Sequence, residues 1–265
     1  PRHQIRAPIV VASVQSLQGR RLNDLGPVNL VITDECHHAT ASSYQNVYAA
    51  VRKARKKAGK PERFVSLGLT ATPFRSDGRG GTLGLGEVYD AVVYSHGIVE
   101  AIAAGDLVPP RGIRVETHVD ISACKVTAGG DYDEADLARL TDTPARNRLV
   151  VEKYQEHGQG LPALAFCVDV AHSEHVAEAF REAGIRAQAI HSKLPPGEST
   201  RLISAYLAGK IQILSSCEMI LEGFDAPMAA VLLRIRATMS LVLARQMLGR
   251  GLRTHPGKTE CIVID

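Results

Sequence analysis

The sequence has no apolar run long enough to cross a bilayer. About 18 residues would be needed, and Arg234, Arg236 and Arg245 interrupt the longest candidate. Nothing at its start reads as a secretory signal. Paired cysteines are missing as well: Cys36, Cys124, Cys167, Cys217 and Cys261 are scattered with no C-x-x-C, which suggests neither a zinc ribbon nor a disulfide framework. A reducing, cytoplasmic setting without a membrane partner is the expectation. An excess of one charge is absent too. The 31 Lys and Arg face 28 Asp and Glu, and the net +3 is compatible with nucleic acid without demanding it. What is present is 265 residues, 45% of them hydrophobic, enough for two domains with cores of ordinary size.

The chain is organised around Val31-Ile32-Thr33-Asp34-Glu35-Cys36-His37-His38. A short apolar run that stops at two adjacent carboxylates is how a buried parallel strand delivers acids to the crevice at its carboxyl end. In a phosphate-processing site one such carboxylate can hold Mg²⁺ while the other orients or deprotonates an attacking water. Alone, an Asp-Glu pair is more often a solvated turn, so the flanking elements carry the argument. Upstream, Pro8 to Val14 reads as a buried strand ending at Gln15-Ser16-Leu17. Downstream, a helix is expected from about Ser42, with Tyr44, Val47, Tyr48 and Val51 at helical spacing. Its end is rich in cations (Arg52, Lys53, Arg55, Lys56, Lys57), which the helix macrodipole favours at a solvated C-terminus. Phe64 to Leu69 predicts a second strand leading into Thr70-Ala71-Thr72-Pro73. Val88 to Tyr94 predicts another, and Ile98 to Ala104 a short helix closed by Gly105. The glycine-rich stretch from Gly78 to Gly86 matches no phosphate-binding spacing and reads as a loop.

From Thr143-Pro144, an N-cap followed by proline at the first helical position, the pattern becomes regular. Strands are expected over Ala163–Val168, Arg186–Ile190, Ile211–Ser215, Ala229–Ile235 and Cys261–Ile264. Helices between them end at Gly184 and Gly209, and one more spans about Leu241 to Leu248. Such alternation predicts a parallel sheet covered on both faces. The expected fold class is therefore α/β, with two tandem parallel-sheet domains and a cleft between them. The boundaries read as a first domain over 1–106, a connector over 107–142 and a second domain over 143–265.

Four motifs stand in order along this framework: Asp34-Glu35-Cys36-His37; Thr70-Ala71-Thr72-Pro73; Glu222-Gly223-Phe224-Asp225-Ala226-Pro227; and Gln246-Met247-Leu248-Gly249-Arg250-Gly251-Leu252-Arg253. Together they resemble motifs II, III, V and VI of superfamily-two DEAD/DEAH-box helicases, most of all those whose core is similar to type III restriction-enzyme Res subunits. The resemblance implies two RecA-like domains that use ATP and Mg²⁺ to move on nucleic acid, with double-stranded DNA the expected partner. It makes Asp34 the Mg²⁺ ligand and Glu35 the water-orienting base. Arg250 and Arg253, three apart, become arginine fingers able to reach a γ-phosphate together. Gln246 would reach towards the nucleotide and His37, with Gly223 and Asp225 beside the nucleotide. Thr70 and Thr72 would couple nucleotide state to the opposite domain. Gln15, Ser16, His191, Ser192, Ser215 and Ser216 would contact the strand, through phosphates and without reading its sequence. Leu221 departs from the polar residue common at its position. A metal site at Cys36, His37 and His38 is the rival reading, but consecutive ligands in extended chain point to opposite sides.

The phosphate loop is missing from this set. No G-K-[ST] precedes Asp34, and the sole Gly-Lys-Thr, Gly257-Lys258-Thr259, enters a strand instead of following one. The expectation is a first domain that lacks its opening strand and phosphate loop, leaves apolar surface exposed and is catalytically incomplete by itself. Two other readings stand beside the motor: a module that grips nucleic acid without hydrolysis, and the motor part of a restriction-type nuclease.

Overall fold

The computed structural model describes residues 7–72, 74–76, 82–117, 119–217, 219–220 and 224–265. It divides into two compact units, one formed by the chain up to Arg75 with Gly81–Ser95, the other essentially His96–Asp265.

The first unit begins with a 3-10 turn at Val14–Ser16 and a short helix α1 (Arg20–Asn23), followed by β1 (Leu30–Thr33), a 3-10 turn at Cys36–His38 and α2 (Ser42–Lys57). Then come β2 (Val65–Gly68), β3 (Phe74–Ser76) and β4 (Thr82–Gly84), which pairs with β3. β1 and β2 run parallel, with Leu30 opposite Val65 and Thr33 opposite Gly68. The core under this ladder is small: Cys36, Ala39 and Tyr48, with Val31, Tyr44, Phe64, Leu85, Val88 and Tyr89 packed around them. α2 presents Tyr48 and Val51 inward, as their spacing required.

Three expectations fail in this unit. Residues 8–13 form no strand, and Ile9 and Val11 stand exposed. Residues 91–94 form none either, with Val92, Val93 and Tyr94 exposed. β-branched composition makes a strand only where a neighbouring backbone completes the ladder, and among the described residues β1 and β2 pair only with each other. Arg55 is not a solvated helix-end cation: it is buried, donating from Nε to Pro61 O (2.7 Å) and from Nη1 to Val28 O (2.9 Å) and Asn29 Oδ1 (2.7 Å). It ties the end of α2 to the entry of β1.

The second unit contains α3 (Ile98–Ala104), β5 (Pro110–Ile113), α4 (Glu134–Thr141), α5 (Pro144–His157), β6 (Ala163–Phe166) and α6 (Val170–Glu182). It continues through β7 (Ala187–Ala189), α7 (Glu198–Leu207), β8 (Ile213–Ser216), β9 (Val231–Arg234), α8 (Leu241–Gly251) and β10 (Cys261–Ile264). The strands form one parallel sheet in the order β5-β10-β9-β6-β8-β7. Successive residues of β6 face opposite sides: Leu164 and Phe166 join Tyr206, Leu214, Leu232 and Met247, while Ala163 and Ala165 join Tyr154, Phe180 and Ile213. Every residue of β6, β8 and β10 is buried, the signature of a parallel sheet with helices on both faces. Asp133, Thr143, Asp169 and Ser240 cap α4, α5, α6 and α8 through their side chains. Gly184 (φ +76°) and Gly209 (φ +70°) follow α6 and α7 in the left-handed region, as expected from their positions.

Residues 107–142, read from sequence as a connector, are largely built into this unit. β5 pairs with β10, Pro110 opposite Cys261. Proline looked like a break, but it is tolerated at the first residue of an edge strand, where its missing N–H is not needed. Among the described residues no helix is long and apolar enough to cross a membrane.

Candidate functional site

β1 ends on Thr33, whose buried hydroxyl lies 2.8 Å from Tyr48 OH, itself 3.3 Å from Tyr89 OH. Immediately beyond, the chain turns sharply. Asp34 is exposed and its Oδ1 accepts from the Glu35 amide (2.9 Å). Glu35 adopts φ +47°, ψ +48°, left-handed backbone that costs a non-glycine residue of order 1–3 kcal/mol. Bonds on either side hold it there. Cys36 N donates to Leu69 O and Leu69 N to Thr33 O, both at 2.9 Å, so the acid turn is laced to the end of β2. The Cys36 side chain fills the angle between Gly68 and Tyr89: a Cβ on Gly68 would stand 2.6 Å from Cys36 Sγ. Burial pushes the Cys36 thiol up, away from reactivity, and likewise raises the Tyr89 phenol.

His37 is buried, and its Nδ1 lies 3.0 Å from Thr70 Oγ1 and 3.3 Å from Glu35 Oε2. The tautomer follows from counting protons. Thr70 Oγ1 gives its one hydrogen to Thr72 O (3.1 Å) and accepts from Thr72 N (3.0 Å). Its contact with His37 therefore requires Nδ1 to be the donor. Glu35, His37, Thr70 and Thr72 thus form one hydrogen-bonded series joining the two expected first-domain motifs. Thr72 Oγ1 is buried with no hydrogen-bond partner among the described residues. No group of three or more His, Cys, Asp or Glu suited to a metal ion occurs among them either.

In the second unit, Arg250 lies in the last turn of α8 and Arg253 just past its C-cap. Both Nη1 atoms donate to Phe224 O, at 2.6 and 3.0 Å, and Arg253 also pairs with Asp225. Asp225 is otherwise exposed. Gly251 lets α8 lie directly on the sheet, since a Cβ there would meet Cys261 Sγ and Leu232 at 2.5–2.7 Å. Gln246 is half-buried on the same helix. Gly223 and Leu221 lie outside the described residues.

The expected strand-contacting residues divide. Gln15 is exposed on the first 3-10 turn, and Ser16 Oγ donates to Ser13 O (2.7 Å). Beyond β7, His191 Nε2 lies 2.7 Å from Glu174 Oε1; His191 Nδ1 is buried without a partner among the described residues, and Ser192 is exposed. Ser215 and Ser216 depart from the expectation. Both are fully buried: Ser215 Oγ donates to Ser173 O (2.7 Å), and Ser216 Oγ accepts from Met219 N (3.1 Å). A hydroxyl enclosed in a parallel-sheet core cannot touch a phosphate.

Residues 2–75 match the model of the type III restriction enzyme res subunit, and residues 145–255 that of the helicase conserved C-terminal domain. The chain is 33% identical over 262 residues to the Schizosaccharomyces pombe protein named mitochondrial ATP-dependent helicase irc3, covering 98% of this chain and 42% of that one. The chain belongs to the superfamily-two helicases. A Saccharomyces cerevisiae relative named ATP-dependent helicase IRC3 is 34% identical over 262 residues, 97% of this helicase chain and 37% of its own. The helicase chain therefore spans about two fifths of these relatives' lengths. Its fold is shared with a chain described as an HsdR subunit of a type I restriction enzyme from Vibrio vulnificus YJ016, with a TM-score of 0.65 and 23% identity over 89% of this chain and 43% of that one. It is shared too with the type ISP restriction-modification enzyme LlaBIII bound to DNA, with a TM-score of 0.61 and 16% identity over 95% of this chain and 19% of that one.

Sequence reasoning missed two further features of this helicase unit. Lys258, in the Gly-Lys-Thr turn, is a brace: its ammonium donates to Pro227 O (2.9 Å) and Ala229 O (2.6 Å), and burial lowers its pKa. Asp131, in the expected connector, receives donors from the segment that leads into α8. No spacing signalled either, because both contacts bridge long separations in sequence.

Proposed function

We propose that this chain is the motor core of an ATP-dependent helicase or translocase acting on double-stranded DNA, with the acid turn of the first unit and the arginines of the second each assigned to nucleotide chemistry. The observation that carries this reading is the braced left-handed Glu35, an energetically unfavourable conformation kept beside an exposed Asp34. In this reading Asp34 holds Mg²⁺, which commonly keeps several waters and needs only one or two carboxylates. Its Oδ2 has no hydrogen-bond partner among the described residues. When bound with ATP, the ion offsets charge on the phosphates. Glu35 orients the attacking water, and His37, fixed as the Nδ1–H tautomer, limits the rotation of its carboxylate. Thr70 and Thr72 carry the state of that turn outward. Arg250 and Arg253 hold the Phe224 carbonyl, a neutral acceptor; a phosphate oxygen that gains negative charge during transfer would attract both guanidinium groups more strongly. Gln246, Gly223 and Asp225 complete the nucleotide side; Gln15, Ser16, His191 and Ser192 contact the strand. Residence in the cytoplasm belongs to the same proposal, and imaging the tagged natural protein against a mitochondrial marker tests it.

The decisive experiment measures steady-state ATP hydrolysis by the natural full-length protein, with and without double-stranded DNA, beside Glu35→Gln. The expected result is DNA-stimulated hydrolysis that Glu35→Gln lowers by about 100-fold or more. Hydrolysis unaffected by Glu35→Gln would overturn the assignment. DNA binding with no hydrolysis at all would favour a passive gripping module.

A further inference from the structure

We infer that Asp131 is a positioning residue for α8, clamping the start of the helix whose other end carries Arg250 and Arg253; the catalytic meaning of the clamp rests on the motor reading above. Residues 124–133 form a tight hairpin, with a Val126–Tyr132 bridge, Thr127 N donating to Asp131 O (2.8 Å) and Asp133 N to Lys125 O (2.8 Å). The hairpin has its own small core, where Cys124, Leu137 and Val168 pack with Ile121, Tyr132 and Ala237. Asp131 projects from it into the segment before α8. Its Oδ2 accepts from the Thr238 hydroxyl (2.6 Å), and its Oδ1 from the amides of Met239 (2.8 Å) and Tyr132 (2.9 Å).

The chain of bonds continues into the helix. With its hydrogen on the carboxylate, Thr238 Oγ1 accepts from Ser240 N (2.9 Å). Ser240 Oγ, the N-cap, in turn accepts from Leu243 N (3.2 Å). A second acid on the hairpin side, Glu134, pairs with Arg236 at 2.9 Å, and Arg236 also donates to Val168 O (3.4 Å). Apolar packing holds this end only in part: Ala237 and Leu243 pack against the cores, while Met239 and Leu241, between them, are 57% and 59% exposed. The far end is fixed separately, by Gly251 against Leu232 and Cys261 and by Val108 N donating to Leu252 O (2.8 Å). α8 spans roughly 16 Å, so a shift at its start swings its axis. Because the far end is pinned, that swing pivots about the last turn and reorients the Arg250 side chain it carries.

The test is made on the natural protein with Asp131→Ala, Thr238→Val and Thr238→Ser. Hydrogen exchange should show the Leu243 and Ala244 amides opening about tenfold faster in Asp131→Ala and Thr238→Val, with β6 and β8 unchanged. In DNA-stimulated hydrolysis, kcat should fall roughly 10- to 100-fold, the range that a small misplacement of catalytic groups produces. KM for ATP should stay within about twofold, since arginines acting on developing charge contribute little to ground-state binding. Thr238→Ser should restore wild-type behaviour. In an Arg250→Ala, Arg253→Ala background, Asp131→Ala should add nothing. Unchanged exchange at the start of α8 overturns the clamp. Altered exchange with unchanged kcat, or an undiminished effect in the arginine-free background, overturns its catalytic meaning. Wild-type protein without DNA-dependent hydrolysis overturns the motor reading instead, while the exchange experiment still decides the clamp.

Discussion

The two units hold their candidate residues by different means. In the second unit a six-stranded sheet buried on both faces carries the arginines on a helix laid against it. In the first, a two-stranded ladder leaves Leu30, Ile32 and Val65 about half exposed or more. Yet the acid turn is tightly specified. It depends on local bonds, from Cys36 N to Leu69 O and from His37 to Thr70, more than on depth of core. A sharp turn can thus be fixed by side-chain and backbone hydrogen bonds where the layer beneath it is thin, while the helix-borne arginines stand on a rigid sheet.

Core truncation should separate the units most sharply. Phe166→Ala, deep in the second unit, should destabilise it by about 3–5 kcal/mol in urea unfolding followed by circular dichroism. A loss below about 1 kcal/mol would mean that the sheet core does not dominate. Acid should come next. Burial lowers the His172 pKa to about 4 from an ordinary 6.5, and its Nδ1 accepts the Val168 amide (3.3 Å), so the folded state keeps it neutral. Above pH 6.5 neither state binds the proton. Between 6.5 and 4 only the unfolded chain does, so stability falls as pH falls, by about 3 kcal/mol across that window. His172→Gln should flatten this part of the pH–stability curve; an equally steep curve in the variant would assign the loss elsewhere.

Smaller effects probe the first unit. Gly68→Ala would force a methyl against Cys36 and Tyr89 and should cost about 1–3 kcal/mol, with faster exchange at the Cys36 and Leu69 amides. Wild-type exchange there would show that the turn does not depend on this packing. Smallest is Ile32→Thr, which should change stability by less than about 0.5 kcal/mol because the side chain is 57% exposed. A loss of 2 kcal/mol or more, read in the same urea experiment, would show that this face is covered in solution.

Much of the second unit was readable in advance. Its strand–helix alternation, the Thr143-Pro144 start and the glycines after α6 and α7 are local signals, and the elements lie where they point. The acid turn was legible as chemistry, an abrupt stop of an apolar run at Asp34-Glu35, and the first-unit motifs do come together there. Val11 and Val93 misled, because β-branched residues say nothing about whether a partner strand exists. Ser215 and Ser216 misled for a different reason: the resemblance to the helicase motifs put them at the strand, and the sheet buried both.

Sequence by itself determined the element types, the order of the motifs and the residue types available for phosphate chemistry, since these follow from periodicity, capping and side-chain chemistry within a few turns of chain. Only the tertiary structure decided that Glu35 is held left-handed, that His37 donates from Nδ1, that Arg55 and Lys258 are braces, and that Asp131 grips the start of α8. Each of those depends on which backbone and side-chain groups, most of them tens of residues away, arrive within about 3 Å. That distance is set by packing and is written in no local pattern.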